Sequence, residues 1–172
     1  MLNVYKVEPD AQIPHYETRK SACFDISAYM PANEAITIFR NAGEKSEVRP
    51  SHDGENGKRY INLFPNERAL IRTGLIFDIP PGYSMRLHSR SGMALKYGLV
   101  LGNGEGIIDE DYVLETKVIM INTSAESVKI YHGDRIAQGE VVSCLQMDIY
   151  ETFEKPGQKT DRVGGFGSTG KS

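Results

Sequence analysis

No stretch of this chain stays apolar, or keeps a helical period, for long. Runs of a few residues rich in Val, Ile, Phe and Tyr are each cut off by Gly, Pro, Asn or Asp. That punctuation leaves little room for helices and predicts many short strands joined by tight turns, the pattern of a β-sandwich or barrel. The predicted strands are 23–28, 35–39, 60–64, 69–79, 83–88, 99–101, 117–121, 127–131, 138–143 and 147–153. Ser89–Tyr97 has room for a short helical turn. There is no internal repeat, and 172 residues suit one domain with its own core.

Two segments interrupt this pattern. Residues 40–58 are polar and turn-rich between two predicted strands, and read as a long, mobile hairpin tip. As an insertion at the surface they are a possible landing place for a protein partner. Residues 155–172 form a Gly-rich tail, which sets a β domain over 1–154 apart from a flexible C-terminal arm.

Charge and cysteine content narrow the class. A net charge of −3 with no long block of one sign argues against a nucleic-acid binder. The apolar runs are too short and too often interrupted to span a membrane. The first ten residues are charged too early for a signal peptide, so a cytoplasmic protein is expected. Cys23 and Cys144 lie far apart in apolar-looking runs and read as reduced core residues.

The tail contains a misleading motif. Gly165–Ser172 matches the phosphate-loop string G-x-x-x-x-G-K-S, and Gly165, Gly167 and Gly170 match G-x-G-x-x-G. Both patterns need a strand before and a helix after them, and no β–α–β unit is legible anywhere in the chain. What remains is local physics. Glycines let successive N–H groups turn toward one anion, and Arg162, Lys171 and Phe166 could close over a bound nucleotide.

The centre of the chain carries more chemistry. Arg90, Ser91 and Gly92 offer a guanidinium, a hydroxyl and an unhindered N–H, a set suited to phosphate oxygens. Read alone, it is an ordinary turn. The Asn103–Gly104 pair between two apolar runs predicts a hairpin. Gly102, Gly104 and Gly106 leave it bare enough for a flat ring to pair with backbone groups. Asn103 can both donate and accept, which suits the alternating edge of a pyrimidine. The acidic run Asp109–Asp111, followed by Tyr112, can supply a carboxylate to polarise a water.

Taken in order, SACFDI (21–26), SRSGMALKYG (89–98), GNGEGIIDEDY (102–112), GDRIAQ (133–138) and DRVGGFGSTG (161–170) resemble the five motifs of the trimeric dUTPase family. The resemblance implies an all-β jelly roll of the β-clip kind, a homotrimer with exchanged C-terminal arms, and hydrolysis of dUTP to dUMP and pyrophosphate with Mg²⁺. It places Asp109 as the carboxylate that activates water. Asn103, Gly106 and the backbone at Ile107, Ile108 and Lys117 would hold uracil, with Tyr112 packed on the deoxyribose. Arg90, Ser91, Gly92 and Gln138 would hold phosphates, and Asp25 would bind the water shell of magnesium. Arg162, Phe166, Gly167 and Ser168 would close the lid. Cys23, Ser89 and Leu114 depart from the family's usual Gly, Pro and Gly, and the last motif is one residue short.

Two other readings compete. A dCTP deaminase of the same fold needs a catalytic Glu ten residues beyond the Asp109 position, where this chain has Ile119. A nucleotide-sensing regulator would use 40–58 to hold its partner, and equal partner recovery with and without that segment would end the idea. Removing residues 160–172 is expected mainly to lower kcat for dUTP, because a lid positions the phosphates. An unchanged rate would show the tail to be inert.

Overall fold

The computed structural model describes residues 1–161, so Arg162, Phe166, Gly167 and Ser168, expected from the sequence to close a lid, lie outside the described residues. In chain order the strands begin with β1 (Asn3–Lys6), β2 (Phe24–Ser27), β3 (Ile36–Phe39), β4 (Lys45–Val48) and β5 (Ser51–His52). They continue with β6 (Arg59–Leu63), β7 (Arg68–Arg72), β8 (Leu75–Asp78) and β9 (Tyr83–Ser89). After helix α1 (Ser91–Tyr97) come β10 (Leu99–Leu101), β11 (Gly106–Ile108), β12 (Lys117–Asn122), β13 (Val128–Tyr131) and β14 (Arg135–Ser143).

The all-β expectation holds. Two larger sheets, ordered β10-β12-β7-β3-β4 and β11-β9-β14-β2, contribute to one continuous apolar core. The first supplies Ile36, Ile38, Ile71, Leu99 and Met120, and the second supplies Phe24, Ile26, Met85, Leu87 and Ala137. Smaller sheets β1-β8 and β13-β6-β5 complete the molecule. Alternation drives this packing: from Met85 onward in β9, Met85 and Leu87 are buried while Arg86 and His88 are only partly covered.

The run 69–79 is two strands rather than one. Gly74 takes a left-handed φ of 69°, and a Cβ there would stand 2.7 Å from that of Ala11. Thr73 donates to the Thr116 carbonyl at 2.6 Å, which pulls the chain out of line. β7 therefore stays in the five-stranded sheet while β8 pairs with β1. The segment 40–58 is also more ordered than the sequence suggests. β4 pairs with β3 and β5 with β6, so it contributes to two sheets instead of forming one free tip. Asp53 fixes the turn after β5, accepting from Tyr131 Oη at 2.9 Å and Lys129 Nζ at 3.1 Å. The Glu55 N–H and then these two partners hold its carboxyl down to about 2.

Other expectations fail for simple reasons. Residues 147–153 are rich in apolar and aromatic residues like a strand but have no partner strand among the described residues. Neither cysteine is a core residue: Cys23 is half-buried and Cys144 exposed. No helix among the described residues is long and apolar enough to cross a membrane.

Arg72 ties distant segments together at the end of β7. Its guanidinium donates to Glu8 at 2.7 Å, Glu34 at 2.8 Å and Glu115 at 2.9 Å, with a side chain only 12% exposed. Glu115 is nearly as covered, at 13%. Arg72→Met would strand that carboxylate, and removing one partner of such a pair costs about 3 kcal/mol. A urea midpoint lowered without change of slope is the expected result, and an unchanged midpoint would contradict it.

Candidate active site

Asn103–Gly104 does not close a simple hairpin. β10, before the turn, pairs with β12 in the five-stranded sheet, whereas β11, after it, pairs with β9 in the other. The turn is tight, with Gly104 N–H donating to the Leu101 carbonyl at 3.1 Å and Gly104 at φ 75°. The chain thus crosses between sheets here, and the two sheets diverge around it. Gly106 is bare for a packing reason as well: a Cβ would lie 2.9 Å from that of Leu87.

A cavity of about 210 Å³ opens where the sheets part. Asn103, Gly106, Ile107, Ile108, Asp109, Tyr112 and Lys117 all line it, together with Leu87, Leu101 and Ile119. Seven residues singled out from the sequence therefore meet in one place. β11 is an edge strand, so the backbone side of Gly106–Ile108 that faces away from β9 has no partner strand among the described residues. β10 covers β12 only over Met120–Asn122, beyond which Gly102 N–H donates to the Ile119 carbonyl at 2.8 Å. An uncovered backbone edge beside β11 gives the cavity donors and acceptors that belong to no side chain.

Asp109 immediately follows β11 and is exposed at the cavity rim. It opens a turn in which Tyr112 N–H donates to the Asp109 carbonyl at 3.1 Å. Tyr112 Oη donates to the Glu115 carbonyl at 3.2 Å, which fixes its ring over the mouth. Glu110 faces elsewhere, accepting from Gly82 N–H at 2.6 Å. Of the three acidic residues, the sequence's choice of Asp109 is the one that reaches this cavity.

Arg90 and Gln138 belong to a second cluster. Arg90 donates to Asp25 through Nε at 2.8 Å and through its terminal nitrogen at 3.3 Å, a forked pair. Gln138 reaches the same carboxylate at 3.4 Å and Arg135 reaches it at 3.1 Å. Arg90 also donates to the Arg135 carbonyl at 2.9 Å. Arg90 and Arg135 line a cavity of about 390 Å³ that shares no residue with the first. Ser91 and Gly92 are exposed on the opening turn of α1.

Two contributors escaped the sequence reading. Arg135 sits in GDRIAQ, and a cation beside a turn was the available signal. Ser89, noted in the sequence only as a departure, accepts through Oγ from Leu101 N–H at 2.9 Å, joining the end of β9 to β10. Proline could not accept that bond, so the departure at this position has a use.

Comparison with known proteins identifies the family. The dUTPase family model matches residues 57–170. A deoxyuridine 5'-triphosphate nucleotidohydrolase from a Hydrogenobaculum species is 46% identical over 170 residues, covering 98% of this chain and 97% of the relative. The dUTPase of Staphylococcus bacteriophage 80alpha, solved with dUPNHPP, shares the fold with a TM-score of 0.74 and 23% identity, over 99% of this chain and 98% of that one. The dUTPase of phage phi11 of S. aureus, a structure describing the coordination of a structural Mg(II) ion, aligns with a TM-score of 0.68 and 21% identity over 91% and 99%. With a matching family model over most of its length and full-length relatives well above chance identity, the chain belongs to the dUTPase family.

Proposed function

We propose that the chain hydrolyses dUTP to dUMP and pyrophosphate. The observation that carries this reading is the convergence of Asn103, Ile107, Asp109, Tyr112 and Lys117 on one cavity bordered by the uncovered edge of β11. A strand edge alternates donors and acceptors, as the pairing edge of uracil does. Cytosine reverses part of that pattern and would leave backbone groups unpaired. A pocket this tight would exclude the extra methyl group of thymine by size. Tyr112, packed against the sugar, leaves no space for a 2′-hydroxyl.

Asp109 acts as the general base. Its carboxylate takes a proton from the attacking water as the oxygen bonds to the α-phosphorus, and the bond to the bridging oxygen of the β-phosphate breaks. Pyrophosphate departs with that oxygen. Arg90, Gln138, Ser91 and Gly92 hold the phosphates, and the lid residues Arg162, Phe166, Gly167 and Ser168 close over them.

The cation is handled sparingly by this chain. All four acceptor positions of Asp25 are engaged by Arg90, Arg135 and Gln138. Such a carboxylate suits an ion held mainly by the triphosphate, reached through water once Arg90 and Gln138 turn to the phosphates. When bound, Mg²⁺ neutralises phosphate charge and draws the chain of phosphates into line.

A homotrimer fits two further features. The phosphate cluster and the uracil cavity are separate within one chain, so one protomer would complete its neighbour's site. Residues 145–153 also present Leu145, Met147, Ile149, Tyr150 and Phe153 to solvent, each at least 75% exposed. A segment of that composition calls for a partner copy.

Deamination of dCTP is disfavoured by Ile119, which is 38% exposed on β12 and packs its Cγ2 against Gly102. Offering dUTP, dCTP, dTTP and UTP with Mg²⁺ is expected to yield pyrophosphate from dUTP and ammonia from none. Ammonia from dCTP would overturn the reading. Asp109→Asn should bind dUTP normally while turnover falls by about 10²-fold or more, the usual worth of a positioned base. Near-normal pyrophosphate release by that variant would remove Asp109 from the chemistry.

A further inference from the structure

A second constellation stands on the face of the four-stranded sheet that points away from the core. Cys23, His88 and Glu140 each offer one donor atom, and the three atoms lie within 4.8 Å of one another. All three residues are half-buried. His88 lies on β9 and Glu140 on its neighbour β14, and Cys23 immediately precedes β2 on the other side of β14. Gln138 is the register partner of both Asp25 and His88, which puts Glu140 beside Cys23 and diagonal to His88.

The histidine is already held. Its Nε2 lies 3.3 Å from a Glu140 oxygen, and its Nδ1 lies 3.6 Å from Glu105 Oε1. An imidazole with one nitrogen toward a ligand group and the other toward a carboxylate is the arrangement in which metal-binding histidines are usually found. Arg86 stands 3.5 Å from the other Glu105 oxygen, so that outer carboxylate is itself anchored.

We propose that Cys23, His88 and Glu140 form a site for a borderline divalent transition-metal ion such as Zn²⁺. Tetrahedral bonds to S, N and O of about 2.0–2.3 Å separate donor atoms by roughly 3.5 Å. The His88–Glu140 spacing already matches, and the rest of the set needs to contract by about 1 Å. Thiolate and imidazole select against Mg²⁺, which prefers oxygen donors. Three protein donors leave one position for water, as in open zinc sites. Binding ionises the thiol and releases its proton.

The position matters for the enzyme. Cys23 is two residues from Asp25, Glu140 two from Gln138 and His88 two from Arg90. An ion here would therefore grip the same three strands one step along the same face from the phosphate cluster. It is separate from any ion that arrives with the nucleotide.

The test is titration of the full-length, metal-stripped protein with Co²⁺, read by absorption. A thiolate-to-cobalt charge-transfer band saturating at one ion per chain is expected, displaced by Zn²⁺ and unaffected by excess Mg²⁺. Cys23→Ser should abolish the band and Cys144→Ser should retain it. His88→Ala should weaken Co²⁺ binding by about tenfold or more. In parallel, Zn²⁺ should raise the Tm of the wild type and not that of Cys23→Ser. Should Cys23→Ser fail to fold, Glu140→Gln serves in its place, with weaker binding expected. Absence of the band, its survival in Cys23→Ser, or unaltered affinity in both His88→Ala and Glu140→Gln would overturn the site.

Discussion

The candidate site depends on one handover, the passage of the chain from one sheet to another between Leu101 and Gly106. β10 ends its pairing with β12 at the Leu101–Met120 pair, and β11 begins pairing with β9 at the Gly106–Leu87 pair. Had the two strands closed on each other as a hairpin, their backbone groups would have been spent within the turn. Because they part, β11 keeps a free edge and β12 is left uncovered beyond the turn. The cavity is the gap so created. The uncovered main-chain edge of β11 borders it, and such groups cost no side-chain entropy to position.

The second cluster is organised by Asp25. Two arginines and a glutamine share its carboxylate, so β2, β14 and the start of α1 are bound at one point. Arg90 and Gln138 thereby converge on one carboxylate. The forked geometry of a guanidinium serves a carboxylate or a phosphate alike. In the proposed reaction Asp25 would keep both groups arranged until the triphosphate arrives.

The sequence was legible where a residue's role follows from local chemistry. Alternating apolar runs located most strands, and the motif positions on the turn, Asn103, Asp109, Tyr112 and Lys117, do share one cavity. It was less legible where the outcome depends on distant partners. Thr73–Gly74 looked continuous with its flanks because the Thr116 carbonyl and the Ala11 side chain that divert it lie far off in sequence. Residues 45–52 looked like loop because their strands are short and polar, yet β3 and β6 take them as edges. Residues 147–153 have the composition of a strand but find no strand to pair with among the described residues. Alternation reports which side chains could be buried, not what will bury them.

Alternation also couples the core to the chemistry. On the four-stranded sheet, Phe24, Gly139 and Leu87 face inward while their immediate neighbours Asp25, Gln138 and His88 face outward. A Cβ at Gly139 would lie 2.5 Å from the ring of Phe24, so the ring occupies the space that a side chain at 139 would need. The backbone ladder between β2 and β14 sets how near Asp25 sits to Gln138. A side chain at 139 would displace the Phe24 ring from the core and strain the strand that carries Asp25. A buried glycine with no functional group of its own thus keeps the core packed beneath the polar cluster on the opposite face.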